Sequence, residues 1–151
     1  MLHVRVVYRG EFIVNRDPGI VFRFLSDPRI FARVFPGFQD VKIMGGEEFI
    51  VKLKVTIGPF RGDATLRGRF IELVENKLVK VAGRWEGAGS TMDYMLTFAL
   101  AKVNSETRVD WVFEGYIEGL AALLGDKVLN SIARSLIDEI TEGIIGEVSK
   151  L

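Results

Sequence analysis

The chain of 151 residues is long enough for one domain to bury a core without disulfides or a structural metal, and no break in composition marks a second domain. Its 20 basic and 20 acidic residues cancel to a formal charge of zero, which argues against the basic footprint of a nucleic-acid binder. With 48% apolar and 26% charged residues, no cysteine, and no apolar run near the roughly 18 residues of a spanning helix, a soluble cytoplasmic protein is expected rather than a membrane span or a disulfide scaffold.

The opening Met1–Arg5 has neither the apolar stretch nor the cleavage site of a secretory signal. From Leu2 to Val14 the chain is rich in Val, Tyr, Phe and Ile and reads as a strand. Asn15-Arg16-Asp17-Pro18 ends it, with Asp17 placed to cap a helix that has Pro18 at its first position. Ile20, Val21, Phe24 and Leu25 share one helical face. Ser26-Asp27-Pro28 then stops this helix and caps a second, carrying Ile30, Phe31 and Val34, which Pro36-Gly37 ends. Six alternating strands follow, broken at Gly45-Gly46, Gly58-Pro59, Glu75-Asn76, Gly87-Ala88-Gly89 and Asn104-Ser105. From about Gly119 the alternation gives way to a period of about 3.6. Leu120, Leu124, Val128, Ile132, Leu136 and Ile140 recur there, with Leu129, Ala133 and Ile137 beside them, so a long amphipathic helix is predicted. The order predicts an α+β fold, a curved antiparallel sheet of about seven strands closed by the C-terminal helix.

Side chains alternate across a strand, so the parity of the apolar residues assigns the faces. Phe49, Val51, Leu53, Val55 and Ile57 point inward, as do Phe60, Ala64, Leu66 and Phe70 on the next strand. Val79, Val81 and Trp85 follow, then Met92, Tyr94, Leu96, Phe98 and Leu100, then Val109, Trp111, Phe113 and Ile117. Gly62, Gly68, Gly83 and Gly115 fall on the same inner face. Two readings are open: the missing side chains leave an apolar cavity under the helix, or the glycines let the strands bend and the large aromatics fill the volume. If the space is a pocket, its candidate ligand contacts are Leu53, Leu66, Gly83, Trp85, Met92, Tyr94, Phe98, Trp111 and Phe113 from the sheet, with Leu124, Val128 and Ile132 from the helix. Trp85 and Trp111 equally suit a plug.

Several short motifs occur in order along the chain. They are Asp27-Pro28, Pro36-Gly37, Ile57-Gly58-Pro59, Thr107-Arg108-Val109-Asp110-Trp111, and Gly119-Leu120-Ala121 with Leu124-Gly125. From about Gly10 to the end, this set resembles the CoxG family of carbon monoxide dehydrogenase subunits, within the START-like, helix-grip (SRPBCC) superfamily. The resemblance implies a helix-grip fold with a deep cavity. It also implies a role beside molybdenum-containing hydroxylases, either associating the enzyme with the membrane or carrying a quinone-like lipid between the two. Members often have small residues at the places of Trp85 and Trp111, so a narrower cavity is implied here. The superfamily also contains cyclases and lyases, and the fold alone does not choose between enzyme and carrier.

Catalysis needs titratable groups facing the pocket, and the inner rows offer only the Tyr94 hydroxyl and the indole N–H groups of Trp85 and Trp111, which suit either a ligand oxygen or a satisfied core. His3, the one histidine, stands alone near the terminus, so no metal site is expected. Gly87-Ala88-Gly89 lies between strands and is a turn rather than a phosphate loop, and no cofactor motif is present. The outward rows collect Lys52, Lys54, Arg61, Arg67, Arg69, Lys80 and Arg84 against Asp63 and Glu86. Lys52, Lys54, Arg67 and Arg69 are the candidate docking residues for an acidic partner or anionic head groups, the alternative being a solvated sheet face. A carrier of a hydrophobic molecule ranks first, with a mouth between Phe31–Phe38 and the Leu120–Gly125 end of the helix. A polyketide-cyclase-like enzyme and a filled-core assembly module are the alternatives. Scarce glutamine and cysteine with plentiful Val, Ile, Arg and Glu hint at a heat-adapted host.

Overall fold

The computed structural model describes residues 3–151. The first strand, predicted from Leu2, is β1 (His3–Val14), and Met1 and Leu2 lie outside the described residues. Two short helices follow, α1 (Pro18–Leu25) and α2 (Pro28–Phe31), the second running into a 3-10 turn at Ala32–Val34. Asp27 caps α2 through its side chain, which accepts from the Arg29 N–H at 3.0 Å. Asp17 does not cap α1 in that way. Its carboxylate lies 3.8 Å from Lys102 instead, and Pro18, which lacks an N–H, supplies the start of the helix.

Six hairpin-linked strands come next: β2 (Phe38–Gly45), β3 (Glu48–Ile57), β4 (Phe60–Val74), β5 (Leu78–Gly87), β6 (Ser90–Val103) and β7 (Glu106–Gly119). The sheet order is β1-β7-β6-β5-β4-β3-β2, so the predicted meander is present and β1 joins it beside β7. Every inner-face residue assigned by parity pairs with another, as in Val51↔Leu66, Leu66↔Trp85, Trp85↔Met92 and Met92↔Ile117. One bulge, between Phe70 and Glu72, shifts the parity at the end of β4 and turns Glu72 outward against Lys80.

The C-terminal helix α3 spans Asp126–Ser149, later than the sequence pattern predicts, because Leu120–Leu123 form a 3-10 turn between Gly119 and Gly125. The inward row also differs from the one predicted. Leu129, Ile144 and Val148 are buried, with Ala133, Ile137 and Ile140 half-buried between them, whereas Val128 and Leu136 lie on the exposed flank. A row that always advances by four residues drifts about 40° around the helix at each step, so the buried row must include a three-residue step, here Ile137 to Ile140.

Two separate clusters form the core. The larger joins Val14, Val51, Val79, Val109, Val21, Phe24 and the C-terminal half of α3 at Ile144 and Val148. The smaller joins Val6, Ile117, Ala121, Ala122 and Leu129 near the start of α3. The far end of α3 is fastened: the Arg16 guanidinium donates to the carbonyls of Ser149 and of Leu151 (3.0 Å for the latter), and Gly143 lets the helix lie against Val34. Thr107, fully buried, donates to the Arg16 carbonyl at 2.7 Å and holds that clamp in place. Thr107→Val keeps the volume but orphans the carbonyl, and is expected to cost about 1–3 kcal/mol in urea unfolding. A loss below about 0.5 kcal/mol would mean that water takes over the bond.

Candidate functional site

Between the two buried clusters the concave face changes character. On β5, Val79 and Val81 are buried while Trp85 is half-buried. On β7, Val109 and Ile117 are buried while Trp111 and Phe113 between them are half-buried. Leu66, Met92, Leu96, Phe98 and Val55 are half-buried as well, and opposite them α3 presents Ile132, Ala133, Ile137 and Ile140, none of them fully covered. Inward-pointing apolar side chains that keep some access to solvent under a helix mark the middle of the sheet as the candidate ligand cleft. Met92 and Phe113 touch both clusters and form its floor.

Except at Gly62, which has open space at its Cβ position, the inner glycines are seats rather than voids. The Phe49 ring lies on Gly68, Trp111 on Gly10, and Met92 and Phe113 on Gly115, each within about 3 Å of where a Cβ would sit. At Gly83 the obstacle is backbone: a Cβ there would stand 1.9 Å from the Arg67 carbonyl oxygen. The Tyr94 ring crosses β5 beside Gly83, and its hydroxyl donates to that same carbonyl at 2.9 Å. Burial pushes the Tyr94 phenol well above its ordinary range. Below about pH 10 the hydroxyl is therefore a neutral, committed donor and not an acid or base for a ligand. The linkage has a definite sign, since a raised pKa stabilises the fold below the unfolded value and that stability is lost as pH rises past it. Stability is accordingly expected to fall above about pH 10, and Tyr94→Phe to flatten the fall; an unchanged alkaline slope in the variant would count against this account.

Tyr94 stacks on Phe113 with ring centroids 6.0 Å apart, which closes one wall. Leu53 is buried in the larger cluster, and Trp85 turns its indole N–H back to the Gly87 carbonyl at 3.4 Å. Leu124 and Ile132 meet the β3–β4 turn at Gly58, whereas Val128 stands outside the cleft. On the outer face the basic row is less one-sided than expected. Glu48 lies opposite Arg69, Glu72 opposite Lys80 and Asp63 opposite Lys54, and Asp93 holds Arg84 at 2.8 Å. Parity alone hides Glu72, because the bulge at Ile71 reverses the face.

At the start of α3, Leu120, Leu123 and Val128 are exposed, Leu123 by 65%. Gly119 (φ 96°) and Gly125 (φ 83°) bracket this turn in conformations that favour glycine. Leu120 rests on Gly89 of the β5–β6 turn and Leu124 on Gly58, so the segment bridges two hairpin tips. The sequence pattern merges this segment into the helix; the signal that separates them is the glycine pair.

A curved antiparallel sheet gripping one long C-terminal helix is the START-like, helix-grip fold. Residues 10–149 match the family described as CoxG, a subunit of carbon monoxide dehydrogenase, and the chain belongs to that family. Among solved structures it is similar to a conserved protein from Geobacillus kaustophilus (18% identity, 96% of each chain, TM-score 0.89). It is also similar to a START superfamily protein from Mycobacterium smegmatis (10% identity, 95% of this chain and 97% of that one, TM-score 0.72). The aromatase/cyclase Zhui from Streptomyces sp. R1128 shares the fold at 15% identity over 97% and 95% of the two chains, TM-score 0.64. No curated protein matches the chain in sequence. Among the described residues, no helix is long and apolar enough to cross a membrane.

Proposed function

We propose that the cleft binds a hydrophobic small molecule, quinone-like or another lipid, and that the protein is a non-catalytic carrier or membrane-association factor beside a molybdenum hydroxylase such as carbon monoxide dehydrogenase. The observation that carries this reading is the run of half-buried apolar side chains between two fully buried clusters, under the middle of α3. Covering them with a ligand removes apolar area from water, worth about 25 cal/mol per Å². The mouth is the Leu120–Gly125 end, where the exposed leucines offer an apolar lip and the two glycines let the turn swing while Arg16 holds the far end of α3. A carrier fits better than a cyclase because the Tyr94 hydroxyl is already spent on the Arg67 carbonyl. The place of action is then the cytoplasm, with transient contact at the inner face of the membrane.

The test is titration with a short-chain quinone followed by tryptophan fluorescence, together with native mass spectrometry before and after organic extraction. Saturable one-to-one quenching that weakens at least tenfold in Trp111→Ala is expected, since Trp111 lies on the cleft wall. A clean mass of the free chain and no quenching would move the assignment to a filled-core assembly module.

A further inference from the structure

The sheet has an open edge that the cleft does not use. The β3 ladder begins at Glu48↔Arg69, and the Phe70 N–H still donates to the Glu47 carbonyl at 3.2 Å. Beyond that point β4 runs on to Val74 with β5 on one side and, among the described residues, no strand on the other. Ile71, Leu73 and Val74 on this overhang are exposed by 40%, 39% and 41%, and Ile43 and Met44 of the neighbouring hairpin by 46% and 55%. Beside the overhang lies a groove of about 600 Å³ between the α1–α2 junction and the β2–β3 turn, with Phe70, Leu73 and Ile43 in its floor. Its walls differ in charge: the helical side carries Arg23 and the Arg29–Asp27 ion pair (3.1 Å), the hairpin side Glu47 and Glu48.

A free strand edge presents unpaired N–H and C=O groups and is a template for another strand; proteins usually blunt such edges with charge, proline or cover. Here the edge starts at the bulge and carries one charge, Glu72, yet Ile71, Leu73 and Val74 leave it largely apolar and uncovered beside a groove lined on both sides. We infer that this edge takes up an extended segment of a partner polypeptide as an added strand, its alternate apolar side chains entering the groove over Ile43, Phe70 and Leu73. Main-chain bonds to residues 71–74 give the affinity, and the pocketed side chains give the specificity. The walls set its orientation: the segment carries an acidic residue toward Arg23 and a basic one toward Glu47 and Glu48. The site is separate from the ligand cleft and stands whether or not the cleft is occupied.

The probe is a labelled peptide, acetyl-Glu-Thr-Val-Thr-Ile-Thr-Lys-amide, whose Glu, Val, Ile and Lys share one face of the strand, followed by fluorescence polarisation and by hydrogen exchange of the intact protein. Binding with slowed exchange at residues 71–74 is expected. Replacing the Thr-Ile-Thr of the probe by Thr-Pro-Thr, which removes a donor and an apolar side chain, should weaken it at least tenfold. Leu73→Lys, at a position already exposed, should do the same without changing the circular dichroism of the protein. Glu47→Arg with Glu48→Arg should weaken the probe and improve one whose lysine is changed to glutamate. Equal binding of the proline peptide, no binding at all, or exchange protection elsewhere would overturn the inference. So would self-association of the chain through residues 71–74, which would make a second copy the occupant.

Discussion

Gly83→Val is expected to be the most damaging single substitution in the sheet, lowering the unfolding free energy by about 4 kcal/mol or more. The position has ordinary extended backbone, so the penalty is one of space. A Cβ would stand 1.9 Å from the Arg67 carbonyl oxygen and 2.9 Å from the Gly68 Cα, and backbone cannot step aside as a flexible side chain can. Moving that carbonyl would also break its bond with the Tyr94 hydroxyl and unstack Tyr94 from Phe113. Urea unfolding measures the loss. Gly146→Ala is the control, since nothing lies within 4 Å of its Cβ and it sits in exposed helix. There a gain of about 0.5–1 kcal/mol is expected. A Gly83→Val protein as stable as the parent would mean that the bend between β4 and β5 relaxes freely, and the cleft wall with it.

The same glycine shows where the sequence is legible and where it is not. Alternation assigns Leu66, Trp85, Met92, Trp111 and Phe113 to one face, because a period of two survives without knowledge of neighbours. What alternation does not supply is register between strands distant in sequence. Trp111 of β7 lies over Gly10 of β1, a seat for an indole ring that reading one strand at a time does not locate. Phe49 on Gly68 is the same case between adjacent strands. The choice between a cavity and a bend is open in the sequence because both place glycine inward, and only the position of the facing ring separates them. The start of α3 is misplaced by periodicity for a related reason: Leu120, Leu124 and Val128 keep helical spacing across a turn that is not α-helical, and the bracketing glycines carry the information instead. The family resemblance, in contrast, lies mostly in turns and helix starts, which are local features, with one motif, Thr107–Trp111, inside β7.

Ala133→Trp is expected to abolish ligand binding while leaving the fold intact, and it separates the open cleft from a filled core in one variant. Ala133 stands on the inward row of α3 between buried Leu129 and half-buried Ile137, so a large side chain there points at the concave face. If the space is open, the indole occupies it. Quinone quenching should then weaken more than tenfold, and the melting temperature should hold or rise as apolar area is covered. In a close-packed interior the added volume has nowhere to go, and overpacking costs about 1–3 kcal/mol. A strongly destabilised variant would therefore refute the open cleft. A stable variant with undiminished binding would place the ligand elsewhere on the molecule. The clamp at the other end of the helix makes the comparison clean: Arg16, Thr107 and Val148 hold the C-terminal half of α3, so a change at Ala133 is felt in the half that borders the mouth.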